Sequence, residues 1–461
     1  MARVKNADRI EEGGIFALYS KEIRNDLVGL AYYGMYALQH RGQESAGFSI
    51  FDTISEDRER QKTVKNKGLV SDVFSKEDLN NYVGNILVGH LKYATEDGAS
   101  RHSYQPLRGE SIIGKLSIVH NGNLMNGSEL KKELLENGSL FQTKTDTEII
   151  LKLIGKNAKY GYKKGILKTV EKLEGAFAIA IIIGNKLIGI RDPLGIRPLC
   201  IGKTEDGVYV LSSESCALDG IGAEFIRDVC PGEIVIIDEN GIESIKYNVK
   251  DRKYYSSFEY IYFSRPDSVV DGLSVYNVRH ESGKLLYKQN SIEADLVIGV
   301  PDSGIPSAIG YSEESGIPYG AALVKNKYIG KNLVLPIQEF REVSIKVKLN
   351  PIKSLIKDKR VVVVDDSLVR GTTSKILVKI LFEAGAKEVH FRVASPVLIN
   401  ESYFGVNMVG KELIGSTMTV DEIRKEIGAT TLDYLSYENM KKALKDKDVN
   451  LDCFKKDEDR G

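Results

Sequence analysis

The chain has no net charge, no paired cysteines and no long hydrophobic run. Its 64 Lys plus Arg are balanced by 64 Asp plus Glu. A general nucleic-acid binder or a membrane-surface binder carries a surplus of positive charge, so the balance argues against both and leaves room only for a local basic site. The four cysteines, Cys200, Cys216, Cys230 and Cys453, are scattered without paired spacing. That argues against a disulfide frame and fits a reducing compartment. The longest apolar run, around Phe177 to Ile183, is far too short to span a bilayer. The first twelve residues, MARVKNADRIEE, are charged and lack the apolar core of a secretory signal. These absences predict a cytoplasmic protein with no membrane and no nucleic-acid partner. No internal repeat or low-complexity block is present.

What is there is the balance of a globular protein, with 42% hydrophobic and 28% charged residues. At 461 residues the chain exceeds one ordinary core, and two domains are the natural expectation. The half up to Asn248 is dense in short strand-like runs: ILVGHL (Ile86 to Leu91), KLSIVHNG (Lys115 to Gly122), AFAIAIIIG (Ala176 to Gly184) and EIVIID (Glu233 to Asp238). Between them TDTEIILKLIGKNA places Ile149, Leu151, Leu153 and Ile154 on one helical face, with Thr145 or Asp146 as cap. This alternation predicts an α+β layered domain. The polar stretch Lys246 to Tyr255 has few core-forming residues and predicts a linker. Beyond it ADLVIGV, RVVVVDD and EVHFRVASP are continuous apolar strands flanked by helical segments, the pattern of a buried parallel sheet. A charged, poorly ordered tail is expected from about Lys441.

The most informative segment is VVVVDDSLVRGTT, from Val361 to Thr373. A run of valines forms a buried strand, and two acids stand at its carboxyl end, where open α/β sheets bind ligands. Ser367, Arg370, Gly371, Thr372 and Thr373 then supply hydroxyls, a cation, a flexible turn and backbone N–H groups ahead of a helix expected near Ser374. Such a turn cradles a phosphate. Asp365 and Asp366 suit ribose hydroxyls, or a Mg2+ ion that also holds pyrophosphate. A strand closed by a capped turn would explain an Asp and a Thr. It needs neither the second acid, nor Arg370, nor the Gly-Thr-Thr.

This segment resembles the 5-phosphoribosyl-1-pyrophosphate (PRPP) signature of type I phosphoribosyltransferases. Around it GVPDSG (Gly299 to Gly304), VKNKYIGK (Val324 to Lys331), FEYIYFSRPDS, KVKLNP and VDEIRKEIGATTLDYLS resemble the glutamine amidophosphoribosyltransferase family, in that family's order. The N-terminal half resembles the same family through LQHRGQESAG, GHLKYAT, VHNGNL, TDTE and RDPLGIRPL, so the likeness runs from about Glu11 to about Ser436. It implies an α+β N-terminal nucleophile domain of the class II glutamine amidotransferase kind, in four layers, followed by an α/β type I phosphoribosyltransferase domain. The corresponding spans are a leader-like, uncleaved segment 1–12, an amidotransferase-like domain 13–248, a transferase domain 249–440 and the tail 441–461. It further implies PRPP binding by Asp365, Asp366, Ser367, Arg370, Gly371, Thr372 and Thr373. Ser303 joins the two acids near Mg2+, and Lys325, Lys327 and Tyr328 belong to a loop that closes over the pyrophosphate; Lys331 lies in the same run. The loop lysines would neutralise the leaving group.

The resemblance also marks departures. Family members expose an N-terminal cysteine whose thiol attacks the glutamine amide, whereas EEGGIFALY places Gly13 at that position. Asn121 and Gly122 fall at the oxyanion-hole positions, Asp146 at the position that holds the glutamine amine, and Arg41 is kept. Lys92 replaces the arginine that clamps the glutamine carboxylate, and a lysine lacks the planar two-donor fork. The positions that hold an iron–sulfur cluster in one branch read Ser256, Ser402, Asn450 and Cys453, and one thiol cannot hold a cluster. The expectation is therefore a chain that makes 5-phosphoribosylamine from PRPP and ammonia, as a homo-oligomer subject to purine nucleotide inhibition. Two alternatives stand beside it: an inactive paralogue that binds PRPP or nucleotides and regulates or co-assembles with an active homologue, and a salvage transferase acting on a base.

Overall fold

The computed structural model describes residues 13–55, 61–93, 101–251, 253–326, 346–400 and 413–455. The chain forms two compact units, one running through Ser256 with a short return at Ser268–Gly272, the other taking Ser257–Asp267 and most of the chain from Leu273 onward.

Two antiparallel sheets build the first unit. One has seven strands in the order Ala223–Asp228, Cys200–Thr204, Tyr209–Ser212, Gly13–Arg24, Gly84–Lys92, Ser45–Phe51 and Gln61–Lys67. The other has six, in the order Gly241–Lys246, Glu233–Asp238, Lys186–Arg191, Gly175–Ile183, Gly114–Leu124 and Leu107–Ser111. Side chains alternate between the two faces of a strand, and the Gly175–Ile183 strand shows what that does here. Ala178, Ala180 and Ile182 enter a core shared with Ile15, Ala17 and Val88 of the seven-stranded sheet. Phe177, Ile179 and Ile181 face the opposite way, against Ile150, Leu153 and Ile154 of the helix Asp146–Asn157. On the far side of the seven-stranded sheet, Phe16 and Leu18 pack with Val28, Ala31 and Met35 of the helix Leu27–Ala37. Helix, sheet, sheet and helix are thus the four layers.

The second unit holds a parallel sheet in the order Leu296–Gly299, Arg360–Asp365, Glu388–Val393, Thr431–Tyr434. Val361 and Val363 point to one face with Leu377, Leu381, Ile423 and Ile427, which belong to the helices Thr372–Glu383 and Val420–Ile427. A parallel sheet covered by helices leaves its carboxyl edge open, and the Asp365 end of the Arg360–Asp365 strand lies on that edge.

Some expectations shift. The helix after the acids begins at Thr372, two residues before Ser374, because Gly371 takes φ +75° and turns the chain directly into it. In the segment after Lys441, expected to be loose, Leu444, Leu451, Cys453 and Phe454 are buried. Its charges mask an apolar spacing that packs. The polar stretch near Tyr247 is anchored too: Tyr247 is buried, and its hydroxyl donates to the Arg191 carbonyl at 2.7 Å.

Candidate functional site

In the second unit the valine strand delivers Asp365 and Asp366 to the open edge, and the next turn folds back on them. The Asp366 N–H donates to Asp365 Oδ1 at 2.9 Å, and Ser367 Oγ donates to Asp366 Oδ1 at 2.6 Å. From the neighbouring strand, the loop after Gly299 brings Ser303, whose hydroxyl donates to Asp366 Oδ2. Val300 N–H donates to the Val364 carbonyl at 2.9 Å and locks that loop beside the acids. A Cβ on Gly304 would lie 2.6 Å from the same carbonyl, so the close approach requires glycine. Burial raises both carboxyl pKa values. For Asp365 the neighbouring Asp366 charge adds to the rise, while Ser303, Ser367 and the Arg279 charge partly offset it for Asp366. Two adjacent carboxylates held this way favour a cation or hydroxyl donors between them.

Gly371 forms the left-handed N-cap of the Thr372–Glu383 helix, with no side-chain cap on its first N–H groups. Arg370, Thr372 and Thr373 are exposed around that terminus. Free N–H groups, two hydroxyls and a guanidinium make an anion cradle. Lys325, at the end of the strand Leu323–Lys325, pairs with Asp302 of the loop that carries Ser303. Lys327, Tyr328 and Lys331 lie outside the described residues. Asp365, Asp366 and the Ser303 hydroxyl are hard oxygen donors of the kind Mg2+ takes when substrate phosphates complete its shell. Among the described residues no cluster of three or more His, Cys, Asp or Glu forms a metal cage.

The first unit gathers the other group of residues. Gly13 opens the Gly13–Arg24 strand opposite Lys92. Its N–H donates to Asn121 Oδ1 at 3.0 Å, and its carbonyl accepts from Arg41 Nε at 3.3 Å. Asn121 is fully buried, and its Nδ2 has no partner among the described residues. Gly122 sits at φ +149°, where a Cβ would meet the Ala176 carbonyl at 2.0 Å. Asp146 starts the Asp146–Asn157 helix, Thr145 caps it, and Asp146 Oδ2 accepts the Leu124 N–H at 2.8 Å. Lys92 is buried, and its ammonium has no ion-pair partner among the described residues. Burial, reinforced by the Lys92 charge, lowers the His90 pKa to about 3. Gly13, Arg41, Lys92 and Asn121 therefore meet, and at their centre there is no room: a Cβ on Gly13 would lie 2.0 Å from the Leu91 carbonyl oxygen and 2.9 Å from His90 Nε2.

Three buried charge networks are specified by no local motif. Glu214 is fully buried and binds Arg41 at 2.5 Å, His40 at 2.6 Å and the Ser268 hydroxyl at 2.6 Å. Burial alone would raise its pKa, but the His40 and Arg41 charges outweigh it and hold the carboxyl well below the usual range. Arg191 is buried in a bidentate pair with Asp271, at 2.7 and 2.8 Å. Arg279, also buried, donates to the carbonyls of Tyr260 and Ser264 and lines a small enclosed cavity with Asp366. Arg41 and Arg191 lie within the LQHRGQESAG and RDPLGIRPL motifs, but their partners Glu214 and Asp271 stand 173 and 80 positions away, so the motifs do not specify the pairing.

Residues 91–220 match the glutamine amidotransferase domain family and residues 275–399 the phosphoribosyl transferase domain family. The chain is 44% identical to the amidophosphoribosyltransferase of Archaeoglobus fulgidus, over 90% of each chain. It is 41% identical to that of Bacillus subtilis, over 98% of this chain and 93% of the other. Among solved structures, one of the allosteric regulatory enzyme of purine biosynthesis superposes with a TM-score of 0.89 at 41% identity, covering 96% of this chain and 95% of that one. The B. subtilis glutamine PRPP amidotransferase complexed with ADP and GMP gives 0.88 at 40% identity, over 96% of each. Near-complete coverage of both units at this identity, with the two domain types in the same order, places the chain in the amidophosphoribosyltransferase family.

Proposed function

We propose that this chain transfers the 5-phosphoribosyl group of PRPP to ammonia, forming 5-phosphoribosylamine in purine biosynthesis, without splitting glutamine itself. One observation carries the distinction: at Gly13 there is no side chain, and the Leu91 carbonyl fills the space where one would begin. The transferase unit, by contrast, keeps its paired acids, its anion cradle and its Ser303 loop.

In this reading Asp365 and Asp366 hold the ribose hydroxyls, and together with Ser303 they hold Mg2+. The 5-phosphate rests on the N–H groups and hydroxyls of Ser367 and Arg370 to Thr373. Lys325 leaves Asp302 to meet the pyrophosphate, joined by Lys327 and Tyr328. Bound Mg2+ supplies charge neutralisation for the departing pyrophosphate. Ammonia attacks C1 of the ribose with its lone pair, the C1–O bond to pyrophosphate breaks, and a proton is lost from the new amine. Ammonia is already a nucleophile, so position and charge do most of the work. Nucleotide inhibition, as suggested by the relative bound to ADP and GMP, and a homo-oligomer belong to the same proposal.

The test is pyrophosphate release from PRPP and Mg2+ with glutamine or ammonium chloride as nitrogen source. Release with ammonium only supports the proposal. Equal release with both overturns the loss of glutaminase chemistry. Release with neither, despite PRPP binding, favours the regulatory paralogue.

A further inference from the structure

Outside both groups of residues, a groove of 480 Å³ runs along the open edge of the seven-stranded sheet, lined by Thr63, Lys65, Val73, Pro106 and Arg108 among others. Its position follows from topology. Gln61–Lys67 is the terminal strand of one sheet and Leu107–Ser111 the terminal strand of the other. A Cβ on Gly47 would lie 2.5 Å from both the Gln105 carbonyl and Lys65 Cβ, so glycine there lets the Lys65 stem and the Tyr104–Pro106 turn press together.

The groove has two halves of different chemistry. One is cationic. Lys65 Nζ donates to the carbonyls of Tyr104 at 2.6 Å and Pro106 at 3.0 Å. These two bonds fix the ammonium and leave it one N–H. Burial lowers its pKa to about 8. Arg108 lines the same groove, its guanidinium 5.6 Å from the centre of the Phe51 ring and within 3.4 Å of the Gln61 amide oxygen. Among the described residues neither cation has an acidic partner and the lining contains no Asp or Glu. The other half, Val64, Val73 and Pro106, is apolar. The size is that of a small-molecule site. A desolvated, positioned ammonium that shares a groove with a guanidinium is a setting in which a bound dianion replaces lost hydration with charge-assisted hydrogen bonds.

We propose that this groove is a binding site for a small phosphate monoester, its phosphate between Lys65 and Arg108 and its organic body on Val64, Val73 and Pro106. The proposal does not depend on the reading of the transferase unit. The rival role for Lys65 is purely structural, a tether for the Tyr104–Pro106 turn.

Phenyl phosphate combines both chemistries and serves as probe on the full-length protein. Titration followed by 31P NMR is expected to show saturable binding. Lys65→Gln and Arg108→Gln should each weaken it by about tenfold to a hundredfold, the loss of one charged hydrogen bond. PRPP-dependent pyrophosphate release should stay unchanged. Inorganic phosphate, lacking the body, should bind more weakly. Should Lys65→Gln fail to fold, amine labelling of the unaltered protein decides: Lys65 should react early at pH 8 with an N-hydroxysuccinimide ester, mapped by peptide mass spectrometry, and phenyl phosphate should protect it. No saturable binding, binding unaffected by Arg108→Gln, or labelling of Lys65 without protection would each overturn the proposal and leave the tether.

Discussion

Gly13→Cys places a thiol at the position the proposal gives to the nucleophile, yet it should not confer glutaminase activity. The obstacle is the backbone. The new Cβ would begin 2.0 Å from the Leu91 carbonyl oxygen, and no rotamer relieves an overlap that precedes χ1. Either the Gly13 strand or the Gly84–Lys92 strand must move by more than about 1 Å to reach ordinary contact. Both are interior strands of the seven-stranded sheet. Overpacking of this kind costs about 1–3 kcal/mol. Displacing Gly13 also strains its bonds to Asn121 and Arg41, each worth about 1 kcal/mol and more for the charged donor. A total of about 3–5 kcal/mol follows, a fall of roughly 6–20 °C in the melting of the first unit. The assay pairs calorimetry with glutamate release from glutamine. Gly13→Ala is the control, since it meets the same carbonyl without a thiol. Glutamate release by Gly13→Cys with unshifted melting, or an alanine variant as stable as the parent, would refute the steric reasoning.

Asp366→Asn should lower PRPP turnover at least about 100-fold, as loss of a preorganised charge does, with melting unchanged; an unaltered rate would remove Asp366 from the site. Asp271→Asn leaves the buried Arg191 guanidinium without its carboxylate and should destabilise the first unit by about 3–5 kcal/mol in urea titrations. Glu214→Gln should do the same to Arg41 and His40. The pH profile checks it independently: the folded Glu214 pKa lies below its ordinary 4.5, so its contribution is full above that value and is lost as pH falls toward the depressed one. Urea midpoints of the parent should therefore drop between about pH 5 and the acid limit by more than those of Glu214→Gln. Parallel curves would show that the network contributes little.

What the sequence determined by itself was whatever neighbours in the chain could specify. The run Val361 to Val364 followed by two acids announced a buried strand ending in acids at a sheet edge, because strand burial and turn chemistry are local. The alternation in Ala176 to Ile183 and the helical face of Ile149 to Ile154 announced a layered first domain for the same reason. A glycine at position 13 was also visible as a missing side chain. Its steric closure was not, since the Leu91 carbonyl arrives only when strands distant in sequence pair. The Glu214 cluster joins Arg41 to a residue 173 positions away, and the Arg191–Asp271 pair spans 80. The packing of the segment after Lys441 was hidden by its charges, because Leu444, Leu451 and Phe454 are apolar at irregular intervals and are buried only once the chain is folded. Tertiary structure decided these points because burial, close approach and charge pairing depend on distance in space, which a linear pattern records only for residues that are already neighbours.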